Sequence, residues 1–443
     1  MSEGIDVLFE KSAREKLFGG IRKLYLMVSK TLGPKGKIIL LKRENDRIHV
    51  TKDGVTVAKE LVLRDPIEMM GAQMIRQAAM KTAEKAGDGP QPLYSKILTP
   101  DGWKQLKDIK PNDIICGSNS TIQRVEEVYY KGELEVYYVI FSDGRVVECS
   151  ENHLWVVQSK RKKDKVITTE SMKKDFVRIK ANGDKEYKYY IKPHIAYFNE
   201  NIPLSIDPFL LGLLLGDGSL SGTGSIELSI GKAKAYLIDK IKLPIGMSLS
   251  IKYYEKKNYY RIKIIGCTAD KKYMKDLLHD LNLLGVKSDT KFIPNMYLFS
   301  SIESRNALLG GLLSTDGYIN KRGLFEFSTV SPKLADDFIS LICSLGISFN
   351  KRLHNRNKDK NSYSNKSIYR INQLKGFDNG YKIIDIRSAN KKEPMSCIKV
   401  SNADHLYFTD GFITTHNTTT STILAYHFIV QGNELVKRVM IPT

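Results

Sequence analysis

Two places in this sequence hold residues whose types and spacing can do chemistry. Toward one end stand Thr415, His416, Asn417 and Thr418. An asparagine amide can attack its own backbone carbonyl, closing a succinimide and cutting the chain, when a histidine beside it moves the proton. The same four residues also suit an ordinary turn. Farther upstream, LLGLLLGDGSL (210–220) and LGGLLSTDGYI (309–319) repeat one pattern, an apolar glycine-dotted run ending on Asp217 or Asp316. Either copy alone reads equally well as a buried helix. Together they offer one carboxylate each to a divalent metal, which makes hydroxide from water and steadies a leaving oxygen.

A third signal needs two distant pieces. AGDG (86–89) and TTT (418–420) would, if adjacent, form a Gly-Asp-Gly loop opening a threonine-rich helix. Free N–H groups and the helix dipole there suit a phosphate, with hydroxyls and a carboxylate for Mg²⁺. A plain helix cap fits as well.

The elements that must position these residues change along the chain. Helical spacing of apolar residues covers 10–32 and 69–86, and KGKIILLKRENDRIHVTKDG between them predicts two short strands. After Gly89 the texture becomes short alternating strands rich in Tyr and Val, such as VEEVYYKGELEVYYVIFSDGRVVECS. From Pro208 helices mix with basic aromatic strands such as SIKYYEKKNYYRIKII, and KRLHNRNKDKNSYSNKS (351–367) predicts a basic loop. Strand texture returns near Tyr381 and helical texture at Thr418. The order reads as one protein interrupted by a second, itself interrupted by a third.

With 443 residues there is room for several cores, and 42% hydrophobic against 27% charged residues needs no disorder. The first residues carry charges throughout, and about 18 apolar residues never occur together, so no signal peptide or membrane helix is expected and a cytoplasmic location is. Cys116, Cys149, Cys267, Cys343 and Cys397 are too scattered for a disulfide framework or a zinc site. The formal charge of +20 lies mostly within 90–417, which marks the middle of the chain as a polyanion binder.

TLGPKGK (31–37), VTKDGVTVAKE (50–60), GAQM (71–74) and the rejoined AGDGTTT closely resemble the N-terminal equatorial segment of GroEL-type (group I) chaperonins. The resemblance implies ATP lined by Thr31, Leu32, Gly33 and Pro34, with Lys52, Asp53 and Gly54 nearby. It gives Mg²⁺ to Asp88 and the phosphates to Gly89, Thr418, Thr419 and Thr420. Up to Thr443 the sequence holds neither the family's intermediate and apical domains nor its water-activating carboxylate, so these residues alone are not expected to act as a foldase. A full spliced chaperonin would form a ring.

ILTPDGWKQLKDIKPND (97–113), FSDGRVVECSENHLW (141–155) and MSCIKVSNADHLYFTDGFITTHNT (395–418) resemble the splicing (Hint) domain of inteins. Most inteins begin with Cys or Ser, but this insert begins with Pro90, which has no nucleophile and no N–H. Trp155, Cys397 and Thr415 instead match the minority, class 3-like group that starts from an internal cysteine. That resemblance implies attack by Cys397 on the Gly89 carbonyl, transfer to Thr418, and cyclisation of Asn417 helped by His416. His153 would protonate the departing amine and His405 would tune the asparagine step; Ser150 stands where the group usually has Thr. Taken singly, a strand cysteine is more often inert core and a tryptophan more often packing.

The paired motifs, with KFIPNMYL (291–298) and SPKLADDFISLICSLGI (331–347), resemble LAGLIDADG homing endonucleases. The resemblance implies Asp217 and Asp316 as Mg²⁺-holding catalytic residues and a monomer that cuts both strands of double-stranded DNA at a homing site, the intein-less chaperonin gene. It makes Lys291 a catalytic lysine, which could otherwise be a surface residue. Lys252, Lys256, Lys257, Arg261 and Lys263 would meet phosphates, or only water.

The expected architecture is therefore multidomain: an all-β Hint splicing domain interrupted by an α/β LAGLIDADG endonuclease and flanked by mainly α chaperonin equatorial pieces. The segments are 1–89 (chaperonin), 90–190 (splicing), 191–378 (endonuclease), 379–417 (splicing) and 418–443 (chaperonin). Splicing needs no cofactor. The competing expectations are a splicing-dead relic and a nucleotide-binding subunit for protein folding.

Overall fold

The computed structural model describes residues 10–31, 37–42, 48–51, 57–58, 60–85, 89–159, 164–200, 202–266, 274–354, 367–374 and 380–416. The chain divides into two compact units, with the boundary between Asp88 and Gly89. In the first, helices Glu10–Thr31 and Pro66–Lys85 accompany a hairpin of strands Ile39–Lys42 and Ile48–Thr51. Leu24, Leu61 and Ala72 form its buried cluster. Asp65 starts the second helix by accepting from the Ile67 N–H at 2.9 Å, the usual way a carboxylate satisfies a first-turn donor. The Thr31 hydroxyl closes the first helix onto the Val28 carbonyl at 2.7 Å.

The second unit is organised by two 20-residue strands, Ile122–Phe141 and Tyr381–Val400, which pair antiparallel across register shifts. Their interruptions are β-bulges, which bend a long strand so that it can serve more than one layer of core. Strands Val146–Cys149, Leu154–Gln158 and Tyr190–Ile191 join the same sheet, with Ile114–Cys116 at one end of its order and Asp164–Thr168 at the other. Val139, Phe141, Trp155, Ile383 and Ile413 lie inside it. The short strand Gln91–Pro92 pairs with the second long strand, Gln91 opposite Ser396. A terminal hairpin, Leu406–Thr409 with Ile413–His416, stands Tyr407 opposite Thr415.

Between Ile191 and Tyr381 the fold repeats itself. Helix Pro208–Asp217 leads into a four-stranded sheet ordered Gly218–Ser219, Glu227–Gly231, Tyr259–Gly266, Met247–Tyr254. Helix Ile302–Asp316 leads into a second sheet of the same order, Gly317–Ile319, Phe325–Thr329, Ile368–Gln373, Phe349–His354. Asp207 and Ser301 cap the two helices, accepting from Leu210 and Ser304 N–H groups, and Pro208 sits in the first turn. A Cβ on Gly212 would lie 2.5 Å from the Leu308 carbonyl oxygen, and one on Gly311 2.2 Å from that of Phe209. Only glycine lets these backbones touch, so the sequence dots are contact points of two crossed helices.

The predicted loop 351–367 is corrected at its start. Residues up to His354 extend a strand whose outward positions are polar and basic, a pattern that reads as loop when its inner partner Phe349 is left out of the window.

Candidate functional site

Two of the residues singled out near the insert's ends, His153 and Thr415, meet beside the Gly89–Pro90 backbone. Gln91, which follows Pro90, pairs with Ser396, which precedes Cys397. The Pro90 carbonyl accepts from the Ser150 N–H at 3.0 Å. Gln91 is fixed by its own amide, which donates to Thr409 Oγ1 at 2.9 Å and accepts from the Tyr407 hydroxyl at 3.2 Å. Gly89 has φ +96°, a left-handed backbone that favours glycine.

His153 is fully buried beside that backbone. Its Nε2 is hydrogen-bonded to the Thr415 hydroxyl, which also donates to the Leu154 carbonyl at 3.3 Å. Nδ1 makes no hydrogen bond. Burial holds its pKa down to about 3, while the backbone of Gly89 and Pro90 pulls it back upward. Pro90 has no N–H, so it acts through its carbonyl, and the imidazole therefore lies at the junction even though no bond there is well aligned. The ring is neutral at pH 7 and becomes a strong acid once it takes a proton.

Trp155 packs edge-on to His153 with centroids 4.8 Å apart, and its Nε1–H donates to Thr169 Oγ1 at 2.9 Å. The Thr169 N–H donates to the His153 carbonyl at 2.9 Å. Thr169 thus holds the Trp155 ring and the His153 backbone, and no spacing in the sequence marks it. Ser150 keeps its hydroxyl buried without a hydrogen bond. His405 faces His416 at 5.6 Å between centroids, and burial lowers its pKa. Cys397 is buried on its strand and not in a disulfide. Asn417 and Thr418 lie outside the described residues, as do Leu32, Gly33, Pro34, Lys52, Asp53, Gly54, Asp88, Thr419 and Thr420.

The second cluster forms where the crossed helices end. A Cβ on Gly216 would meet Thr315 Oγ1 at 1.9 Å, so the neighbouring Asp217 and Asp316 leave their helices side by side. Burial raises both carboxyl pKa values, that of Asp316 to about 6 with the charge of Asp217 adding to it. A divalent cation cancels such repulsion, so the pair fits a metal. Lys291 is buried rather than at the surface, its Nζ donating to the carbonyls of Leu214, Gly216 and Gly218 at 3.1, 2.8 and 3.0 Å. Burial lowers its pKa to about 8 against the two carboxylates. Lys234, which no sequence signal marked, does the same for the other helix, donating to Ser314 and Thr315 carbonyls at 2.7 and 3.1 Å. Each helix C-terminus, the negative end of its dipole, thus holds an ammonium.

The two sheets beyond those helices carry matched charges. Lys252 stands directly opposite Arg261, and Arg352 opposite Arg370. Like charges in that position repel, a cost that a polyanion on the sheet removes. Tyr254 stacks on Tyr259 at 5.2 Å with Arg261 over it at 5.1 Å. Glu227 and Glu326 pair partly with the arginines, at 3.6 and 4.0 Å. Among the described residues no helix is long and apolar enough to cross a membrane.

Two families match parts of the chain. The TCP-1/cpn60 chaperonin family matches residues 24–137, and the homing endonuclease family matches residues 292–381. The first match runs past Gly89 into strands of the second unit. The second covers helix Ile302–Asp316 and the sheet that follows it.

Proposed function

We propose, for a chain that carries a chaperonin segment and a DNA-binding homing endonuclease domain within its insertion, that residues 90–417 are a self-splicing intein. The reading rests on one observation above the rest: His153 stands between the Gly89–Pro90 backbone and Thr415, with the Cys397 strand paired alongside. The Cys397 sulfur adds to the Gly89 carbonyl carbon, the bond to Pro90 breaks, and His153 passes the thiol proton to the departing nitrogen. The acyl group moves from sulfur to the Thr418 hydroxyl oxygen. Asn417 then closes on its own carbonyl, releasing the Thr418 amine while His416 and His405 manage its proton. That amine displaces the ester oxygen, and Gly89 and Thr418 are left in a normal peptide bond. No cofactor enters, because every bond broken is matched by one formed.

The nuclease we read as a monomeric LAGLIDADG enzyme in which Asp217 and Asp316 hold Mg²⁺ and the basic sheets grip a double-stranded homing site. The metal, when bound, supplies hydroxide and steadies the leaving oxygen. Lys291 and Lys234 hold the helix ends in place and keep positive charge beside the carboxylates. The site lies in the cytoplasm, and the joined chaperonin segment carries the ATP and Mg²⁺ loop of Asp88, Gly89 and Thr418–Thr420.

Intact mass of the expressed chain, with Cys397→Ala and Asn417→Ala beside it, tests the splicing reading. Free 90–417 with a joined 1–89/418–443 product from wild type, and precursor alone from Cys397→Ala, supports it. Wild type that remains a single chain of 50.2 kDa sinks it.

A further inference from the structure

Arg145 lies in the turn after the first long strand and takes no part in the chemistry above, yet its largely buried guanidinium joins four segments. It pairs with Asp143 through Nε at 3.0 Å and Nη2 at 2.6 Å, and stacks on the Tyr381 ring at 3.7 Å. From the nuclease it meets Cys343 Sγ at 3.5 Å and the Phe349 ring at 5.5 Å. Its Nη1 also donates to the Gly411 carbonyl, in the turn of the terminal hairpin. Gly411 has φ +67°, and a Cβ there would sit 3.1 Å from Arg145 Cδ.

The same hairpin is packed onto the nuclease by apolar contact. Phe408 and Phe412 share one buried cluster with Leu341 and Ile342 of helix Pro332–Ser344 and with the core of the motif helices. Trp103 of the splicing strands closes on Phe412 with centroids 4.9 Å apart. The hairpin that ends in Thr415 and His416 therefore has the nuclease as part of its wall. We infer that Arg145 is a positioning residue, which registers this hairpin against the inserted nuclease so that the asparagine step depends on the nuclease fold. The inference rests on the splicing reading.

A hairpin out of register leaves Cys397 itself in place, since it is held by the long strands, but draws Thr415 from His153 and delays Asn417, so the first step slows while the ester, once formed, waits longer for the asparagine step. The stalled ester is then hydrolysed by water, releasing residues 1–89 instead of joining them. Arg145→Ala should shift the ratio of released 1–89 to joined product by about tenfold, the effect of one charge-assisted hydrogen bond lost. Arg145→Lys keeps a cation beside Asp143, so the fold survives, but an ammonium cannot serve Asp143, Gly411 and the Tyr381 face together. It should shift the ratio in the same direction and less. Melting temperature and DNA cleavage are read on the same samples. A shifted ratio in Arg145→Lys with both of these near wild type supports the inference. An unchanged ratio in Arg145→Lys beside a splicing wild type overturns it alone, as does a fall in both steps that only tracks melting. A wild type that does not splice removes the reading beneath it as well.

Discussion

Asp316→Asn should stabilise the second unit while abolishing DNA cleavage. Burial, and then the charge of Asp217, raises the Asp316 carboxyl from 3.8 to about 6. Asp316 is nonetheless exposed to solvent, which screens much of this shift, so keeping it ionised at neutral pH costs about 1 kcal/mol. Asparagine has nearly the same shape and no charge, so a net gain of ~0.5–1 kcal/mol is expected at neutral pH. The sign with pH follows from the raised pKa. The folded state binds this proton more tightly than the unfolded chain, so wild type gains stability as pH falls from about 6 toward 4, and the variant's advantage closes over that window. The assay is urea unfolding of the Cys397→Ala chain, which stays in one piece, with and without Asp316→Asn in EDTA across the window. Excess Mg²⁺ should narrow the gap at neutral pH, because the cation stabilises the wild-type pair more than the variant. Equal stability at neutral pH, or a gap indifferent to pH, would refute the account of two carboxylates forced together.

Lys291→Met should cost ~2–4 kcal/mol, by loss of charged hydrogen bonds to three helix-end carbonyls, and should move DNA cleavage to lower Mg²⁺, because the carboxylate pair loses a neighbouring cation that repels the metal. Denaturant melts and a Mg²⁺ titration read both, and a variant as stable as wild type would show that the cap is idle. Thr415→Val keeps the side-chain shape but removes the hydroxyl from His153 Nε2; splicing should slow by at least ~10-fold, and a valine variant that splices at the wild-type rate refutes the role given to that contact. Because burial lowers the His153 pKa to about 3, its contribution to stability is complete above about pH 6.5 and is lost as pH falls toward 3. In melts from neutral pH to about 4.5, His153→Gln should therefore flatten the acid side of the stability curve, and a parallel curve would place the charge elsewhere.

What the sequence disclosed, and what it withheld, divides along physical lines. Local patterns were legible: helical spacing at 10–31, the glycine contact points of the motif helices, and the basic strands around Arg261. Groups made of distant residues were not. Thr169 holds Trp155 and His153, Lys234 caps a helix some eighty residues away, and Arg145 ties four segments together, each through bonds to backbone or to a single side chain. Such contacts impose no repeat and no spacing on the sequence. Lys291 was visible as a residue but not as a buried one, since a lysine at a helix C-terminus reads the same whether its ammonium faces water or three carbonyls.

The two clusters use burial to opposite ends. At the nuclease partial desolvation raises the pKa of two carboxyls that reach solvent side by side, a like-charge pair whose repulsion a bound cation would relieve. At Gly89–Pro90 it keeps His153 neutral, and on the proposed splicing reading the proton that restores its acidity is the one that the Cys397 thiol carries. The shared core adds a constraint on order. Leu98, Cys116, Phe408 and Phe412 of the splicing strands lie in the cluster that holds the motif helices, and every residue described in that cluster falls within 90–417. Cutting at the two ends of that span removes no side chain from that cluster. Excision on this account leaves the nuclease with its core intact, and cleavage of DNA by the free 90–417 fragment at the rate of the unspliced Cys397→Ala chain is the result that it requires.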